Sequence, residues 1–232
     1  MRTALSRDAI LDASLRIARR DDLARLTMKK LADELDVTPM AIYRHFQNKA
    51  ELLDGVLDRF VAASATTRPA RSAAASDWRA WLRLTFGAMR RALLETPGVM
   101  PFLGTSYRLG PGALEVLEES LDVLREAGLD RRSAVEAFLS LMSFTLGAVG
   151  LEAAWRRDER ELDPGPDERL RQWRVRIESN SSTRYPNVVG AAHELAAVTG
   201  AFPFERGLER IIDSLEREQA KNERGTHANP AL

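Results

Sequence analysis

The chain has 232 residues, no cysteine and a formal net charge of zero, with 34 basic and 34 acidic side chains. Its 44% of hydrophobic and 29% of charged residues are ordinary for a soluble globular protein and argue against a disordered chain. Without cysteine there are no disulfides or thiolate metal sites. We expect a cytoplasmic protein, because the first residues lack the apolar core of a secretory signal and no run of eighteen apolar residues follows.

Four helix starts are predicted in the first 50 residues from side chains that cap helices. In each case an oxygen can accept a hydrogen bond from an early backbone N–H of the helix. The predicted caps are Ser6, Thr27, Thr38 and Asn48. Pro39 supports the third start, since proline loses no hydrogen bond at the first helical position. Asp36 is the predicted turn residue before it, because aspartate tolerates left-handed backbone better than most residues.

The second and third of these helices each separate into an inward and an outward face. Apolar side chains recur at helical spacing on the inward face, at Leu31, Ala32, Leu35, Ile42 and Phe46. Polar and small side chains on the third helix are left available to a DNA major groove, at Thr38, Met40, Ala41, Tyr43, Arg44 and His45. This layout is typical of a helix-turn-helix.

Residues 1–60 carry eleven basic and ten acidic side chains, so their total charge is nearly zero. The distribution of these charges is therefore more informative than their sum. Basic residues nevertheless cluster around the third helix, at Lys29, Lys30, Arg44, His45 and Lys49. We therefore expect a basic surface there in a nearly neutral domain. Other roles stay open: Tyr43 could be a partly buried aromatic, Arg44 a solvated charge, and Met40 or Ala41 simple surface.

Residues 26–49 resemble the DNA-binding domain of the tetracycline repressor (TetR) family of transcriptional regulators. The resemblance spans about residues 5–60 and rests on the pattern T-x-K-x-L-A-x-x-L-x-V, followed by I-Y-R-H-F-x-N-K-x-x-L-L. A second segment, FPFERGLERIIDSL at 202–215, is similar to the last helix of the tetracycline-repressor type of C-terminal domain.

The resemblance implies which residues contact DNA. Phosphate contacts, which give affinity and register, are expected at Thr27, Tyr43 and Lys49. Base contacts, which give sequence preference, are expected at Lys29, Pro39, Met40, Ala41 and Arg44. His45 could do either.

We predict an all-α protein of two domains and a tail. The predicted parts are a three-helix helix-turn-helix domain with its connector helix at 1–62, a helical effector-binding and dimerisation domain at 77–219, and a disordered tail at 220–232. Within the second domain, a long helix is predicted over 131–157 and a charged loop over 158–169, where two prolines interrupt the chain.

The long helix at 131–157 is apolar nearly all round, so it must be buried on two faces. We expect one face to pack on its own domain and the other on a second copy of the chain. The residues predicted for this dimer interface are Phe138, Leu141, Thr145, Ala148, Leu208, Ile211, Ile212 and Leu215. A two-fold dimer would place two third helices in successive major grooves and bind a palindrome.

The resemblance also implies a small-molecule effector among the C-terminal helices. Side chains of pocket-lining type define the region, at Trp81, Phe86, Met89, Met100, Phe102, Tyr107, Phe138, Met142 and Trp155. Tetracycline-binding members hold a magnesium chelate with histidine help, but this chain has no histidine between His45 and His193. We therefore expect a hydrophobic or aromatic effector, with Arg90, Arg108 or Glu152 as polar anchors.

Two other classes of protein are compared with this hypothesis. An enzyme is disfavoured, because no nucleophile elbow, phosphate loop or HExxH motif is present, and no catalytic residue, cofactor or metal site is predicted. An all-helical dimeric adaptor without operator binding would leave residues 43–49 unexplained. The sequence favours a DNA-binding regulator, by family default a repressor, whose partners are double-stranded operator DNA, an effector and its own second copy, and not a membrane.

Overall fold

The computed structural model describes residues 5–65, 77–103, 110–161, 165–200 and 203–227. These residues form helices and contain no strand, as the all-α prediction requires. The α-helices are α1 Arg7–Ala18, α2 Met28–Leu35, α3 Pro39–Tyr43, α4 Lys49–Ala65, α5 Trp78–Glu95, α6 Pro111–Glu126, α7 Arg131–Glu161, α8 Pro166–Glu178, α9 Pro186–Gly190, α10 Ala192–Gly200 and α11 Phe204–His227. Two short 3-10 helices, η1 Leu23–Arg25 and η2 Pro97–Phe102, lie between them.

Capping hydrogen bonds confirm three of the four predicted helix starts. The Ala9 N–H donates to Ser6 Oγ (3.1 Å), the Lys30 N–H to Thr27 Oγ1 (3.1 Å) and the Glu51 N–H to Asn48 Oδ1 (2.9 Å). Thr38 occupies the predicted cap position of α3, but its side chain makes no capping hydrogen bond. Proline at the first position of α3 leaves one backbone N–H fewer to satisfy there.

Helices α1–α4 form the N-terminal unit, and its core extends beyond these helices. Leu93 at the end of α5, Val99 in η2 and Val149 in α7 belong to the same buried cluster. At Gly98 the two parts of the chain approach closely, because a Cβ there would lie 2.2 Å from the Asp21 carbonyl oxygen. Any larger residue at that position would push η2 away from the end of α1.

The C-terminal unit is built around α5, α6, α7 and α11. Its core contains large apolar side chains from all four helices, among them Trp81, Phe86, Leu124, Leu141, Phe204 and Ile212. Residues 131–154 of α7 are long and apolar enough to cross a membrane by length and hydropathy. Here α7 packs on α5, α6 and α11, which makes it a core helix of the fold. Helices α8 and α10 pack on one another.

Two predicted irregular segments are partly helical. In the predicted loop 158–169, α7 continues to Glu161 and α8 begins at Pro166. Proline fits the first helical turn, and Asp167 and Glu168 favour the positive end of the helix dipole, so this proline starts a helix rather than breaking one. In the predicted disordered tail, α11 continues to His227, and half of the added residues are good helix formers, at Ala220, Lys221, Glu223 and Arg224.

Candidate nucleic-acid interface and ligand cavity

The turn between α2 and α3 has the predicted geometry. Asp36 adopts a left-handed conformation (φ 52°, ψ 47°), and the Val37 N–H donates to the Ala32 carbonyl (3.0 Å). After Tyr43 the chain keeps a helical course, since the His45 and Phe46 N–H groups both donate to the Ile42 carbonyl (2.9 and 3.1 Å). We call residues 38–46 the reading segment.

The reading segment presents the predicted faces. Ile42 and Phe46 are buried in the core of the N-terminal unit, whereas Met40 and Tyr43 expose 66% and 46% of their surface. Tyr43 is therefore an outward residue and not a core aromatic. The other residues predicted to face DNA are exposed at Thr27, Lys29, Thr38, Pro39 and Arg44, and half-buried at Ala41, His45 and Lys49.

The predicted basic cluster is only partly available to a ligand. Lys30 forms an ion pair with Asp21, and this hydrogen bond lowers the pKa of the Asp21 carboxyl. Lys49 Nζ donates to the Ala24 carbonyl (2.8 Å), so it ties the start of α4 to η1 instead of pointing freely outward. Lys29 and Arg44 form no ion pair with any residue that the structure describes. These two supply the unpaired positive charge of the predicted cluster, with Arg44 in the reading segment and Lys29 on α2.

Arg7, which the motif does not contain, holds the end of the reading segment. Its Nη1 donates to the His45 carbonyl (2.8 Å) and to Glu51 Oε1 (3.1 Å), and its guanidinium lies 4.1 Å from the centre of the Phe46 ring. A cation in the first turn of a helix opposes the helix dipole, which is a sequence signal that such a residue has a tertiary partner.

The C-terminal unit and α4 line an apolar cavity of about 90 Å³. Four residues of the predicted effector region line it: Phe86, Met89, Phe138 and Met142. The prediction missed the other lining residues, which are Phe60, Val61, Ser64, Thr85, Leu103, Val116 and Ser120. Because Phe60, Val61 and Ser64 belong to α4, the cavity reaches the helix that follows the reading segment.

The remaining described residues of the predicted effector region lie elsewhere. Trp81 is in the core of the C-terminal unit, and Met100 and Phe102 pack against the N-terminal core. Tyr107, the Trp155 side chain and Arg108 lie outside the described residues.

The two predicted polar anchors that the structure describes bind one another. Arg90 Nε and Nη2 donate to the Glu152 carboxylate at 2.9 and 3.0 Å, and neither residue lines the cavity. Within the described part of the chain, no three His, Asp or Glu side chains are grouped to hold a metal ion.

The residues predicted for the dimer interface lie in the chain's own core. Six of them are buried within the single chain, at Leu141, Thr145, Ala148, Leu208, Ile212 and Leu215, while Phe138 and Ile211 are half-buried. A different face of α7 is exposed. Its first turns carry the ion-paired Arg132 and Glu136, but most of its exposed residues are small or apolar: Val135, Leu139, Ser143, Gly147, Gly150, Leu151 and Ala154. We call these seven residues the α7 stripe.

Comparisons with known proteins agree with this architecture. Residues 10–56 match the family described as bacterial regulatory proteins, tetR family, and residues 70–218 match the tetracyclin repressor-like C-terminal domain. The class C tetracycline repressor of Escherichia coli is 30% identical over 215 residues, which cover 92% of this chain and 91% of that protein. The transcriptional repressor DrrR1 of Streptomyces coeruleorubidus is 29% identical over 220 residues, covering 91% and 77%.

A solved structure shares the fold over nearly the whole chain. ActR of Streptomyces coelicolor, a TetR family protein in complex with actinorhodin, has a TM-score of 0.76 and 25% identity, covering 94% of this chain and 99% of that one. The helix-turn-helix geometry, both matched domains and the full-length relatives therefore agree. The chain belongs to the TetR family of transcriptional regulators, a family of DNA-binding proteins with a ligand-binding C-terminal domain and not of enzymes.

Proposed function

We propose that this regulator is a homodimeric repressor that binds a palindromic operator in the cytoplasm and is released by a small apolar effector. One observation carries the proposal: α4 lines the apolar cavity at Phe60 and Val61 and also packs in the core of the N-terminal unit at Leu52 and Val56. A ligand in the cavity therefore touches the helix that supports the reading segment.

The α7 stripe supports the homodimer. It leaves Leu139 and Leu151 more than half exposed in the single chain, which is costly for apolar side chains in water. Small residues at Ser143, Gly147 and Gly150 would let the same helix of a second copy approach closely. A two-fold contact of this kind places two reading segments in successive major grooves, about 34 Å apart.

A contact between α4 and α6 supports the coupling of effector to DNA. Gly110 occupies the cap position before α6 and has no side chain to cap the helix, and Asp58 of α4 accepts the Ala113 N–H instead (3.1 Å). A Cβ at Gly110 or Gly112 would collide with α4, so the two helices touch closely. A ligand that displaces α4 from α6 would break this cap and change the spacing of the reading segments.

The energetics of the switch set a requirement on the effector. It must bind the non-DNA-binding form better than the DNA-binding form by a few kcal/mol, since a ligand with equal affinity for both forms does not change their ratio. The solved complex of the relative ActR with actinorhodin supports a ligand role for a C-terminal domain of this fold.

Operator binding is tested by selecting DNA from a random pool with the purified protein and measuring affinity by fluorescence anisotropy across a salt series. We expect a palindrome to be selected, and the change Tyr43→Ala with Arg44→Ala to weaken its binding by roughly 100-fold, since the base contact expected of Arg44 contributes about 1–3 kcal/mol and the phosphate contact expected of Tyr43 is lost with it. Affinity should fall steeply with salt, because phosphate contacts release counterions.

A matched control is available in the same chain. Arg184 and Tyr185 form another adjacent pair, exposed and distant in sequence, with the guanidinium 5.3 Å from the ring centre. Changing this pair to alanine should leave operator affinity unchanged. Selection of no sequence from the pool would contradict the proposal and favour an adaptor.

A further inference from the structure

Thr85 carries a buried hydroxyl without a hydrogen-bonding partner. The residue is 5% exposed, lines the apolar cavity, and its Oγ1 makes no hydrogen bond with any described residue. An unsatisfied hydroxyl in an apolar environment costs folding free energy, so buried polar groups in proteins are normally paired.

Other buried hydroxyls in the helices make a backbone hydrogen bond that Thr85 lacks. Ser14, Ser120 and Thr145 each donate to the carbonyl four residues earlier, at 2.7 to 2.9 Å. The same bond is open to any serine or threonine inside a helix. Thr85 lies within α5, yet its hydroxyl is left without that bond.

The rest of the cavity wall offers little else for hydrogen bonding. The Ser64 and Ser120 hydroxyls already donate to the Phe60 and Val116 carbonyls (2.8 and 2.7 Å). The other described lining residues are apolar, and no charged side chain is among them. A charged ligand would therefore lose its hydration without gaining a counter-charge from these residues.

We propose that the Thr85 hydroxyl is the hydrogen-bonding group for the cavity's ligand, and that this ligand is an uncharged, largely apolar molecule with one hydrogen-bonding oxygen. The inference rests on the proposed effector role of the cavity and specifies the class of compound. Thr85 Oγ1 is itself buried, so the side chain turns about its Cα–Cβ bond to present the hydroxyl to the ligand, which supplies the partner that Thr85 lacks among the described residues.

The test uses two probes of the same shape, 2-acetylnaphthalene and 2-isopropenylnaphthalene, which differ by a carbonyl oxygen in place of a methylene. Their affinities for the full-length protein and its variants are measured by calorimetry. The wild type should bind the ketone roughly two- to tenfold more tightly than the alkene, the range expected for one net hydrogen bond. Thr85→Val, which keeps the shape and removes the hydroxyl, should abolish this preference.

Two further variants act as controls. Ser120→Ala removes a lining hydroxyl that already has a partner, so the ketone preference should persist. Met142→Trp fills the cavity, so both probes should bind more weakly. Thr85→Val should also raise the melting temperature of the free protein by about 2–4 °C, because an unpaired hydroxyl is removed.

Equal ketone and alkene affinities in the wild type, the same preference in Thr85→Val, or no binding of either probe up to its solubility would overturn the inference. Operator binding measured on the same preparation separates it from the proposed function. A protein that binds its operator but neither probe contradicts only the ligand class. A protein that shows the Thr85-dependent preference but selects no operator contradicts only the repressor proposal.

Discussion

Arg7 shows how a residue outside the recognition motif fixes the motif's geometry. Its guanidinium bonds the His45 carbonyl and Glu51 and covers the Phe46 ring, so it links α1, the end of the reading segment and the start of α4. Arg44, in contrast, is exposed and forms no ion pair with the described residues. The first arginine positions the reading segment, and the second is available to DNA.

Replacing these two arginines should therefore have different effects. Arg7→Ala should lower the melting temperature by about 2–4 °C, the shift expected for about 1 kcal/mol lost from a half-exposed hydrogen bond and ion pair. Arg44→Ala should leave the melting temperature unchanged and reduce discrimination among operator sequences. Calorimetric melting and competition binding on the two variants check both effects. An Arg7→Ala protein as stable as the wild type would refute the positioning role.

At the residue scale, features that depend on neighbours in the sequence could be predicted, whereas hydrogen bonds between residues far apart in the sequence could not. Thr27, Asp36 and Asn48 were predicted because a cap or turn depends on neighbours within a few residues. The hydrogen bond from Lys49 to the Ala24 carbonyl could not be predicted, because that partner lies 25 positions away and nothing near Lys49 indicates it. The phosphate contact expected of Lys49 stays a prediction.

Among the elements, α5 and α11 are joined by arginine–glutamate pairs along their contact. Arg79 pairs with Glu216, and Arg83 Nε lies 2.5 Å from Glu209 Oε1. Hydrogen bonds from Arg83 lower the pKa of Glu209, because they stabilise its charged form. The pair thus makes the contact of these two helices dependent on pH.

The sign of that dependence follows from the lowered pKa. The Glu209 carboxylate contributes stability above the ordinary glutamate pKa, and that contribution is lost as the pH falls through the lower pKa of the folded state. Glu209→Gln should therefore have a lower melting temperature than the wild type at pH 7, and the two melting temperatures should converge once the pH falls below the lowered pKa of Glu209. The matched control is Glu205→Gln, because Glu205 lies on the same helix and is more exposed. This change should lower the melting temperature less. A difference in melting temperature that persists at low pH would contradict the stabilising role of the Glu209 carboxylate.

Element-level periodicity also explains why the residues predicted for the dimer interface lie in the chain's own core. Helix α7 is apolar nearly all round, so spacing alone does not distinguish the face on its own core from the face left exposed. The predicted face, with Leu141 and Thr145, packs inside the chain. Only four of the eleven residues that line the cavity were predicted, for a similar reason: its α5 and α7 residues form helical stripes, whereas its α4 residues come from a distant segment.

For the whole molecule, the α7 stripe makes a prediction about assembly. Leu139→Glu places a charge in the proposed two-fold contact and should give a folded monomer with greatly reduced operator affinity. Leu114→Glu is the matched control, because Leu114 on α6 is about as exposed (50% against 55%) and lies outside the stripe. Analytical ultracentrifugation and anisotropy measure both properties. A Leu139→Glu protein that stays dimeric would place the interface elsewhere.

The core shared by the two units has a consequence for engineering. Leu93, Val99 and Val149 complete the core of α1–α4, and Gly98 lies against the carbonyl of Asp21. In a chimeric regulator that joins only α1–α4 to the C-terminal unit of another regulator, part of this core would face a surface that does not fit it. The part that can be transplanted consists of the N-terminal unit together with η2. It also needs matching side chains at positions 93, 99 and 149.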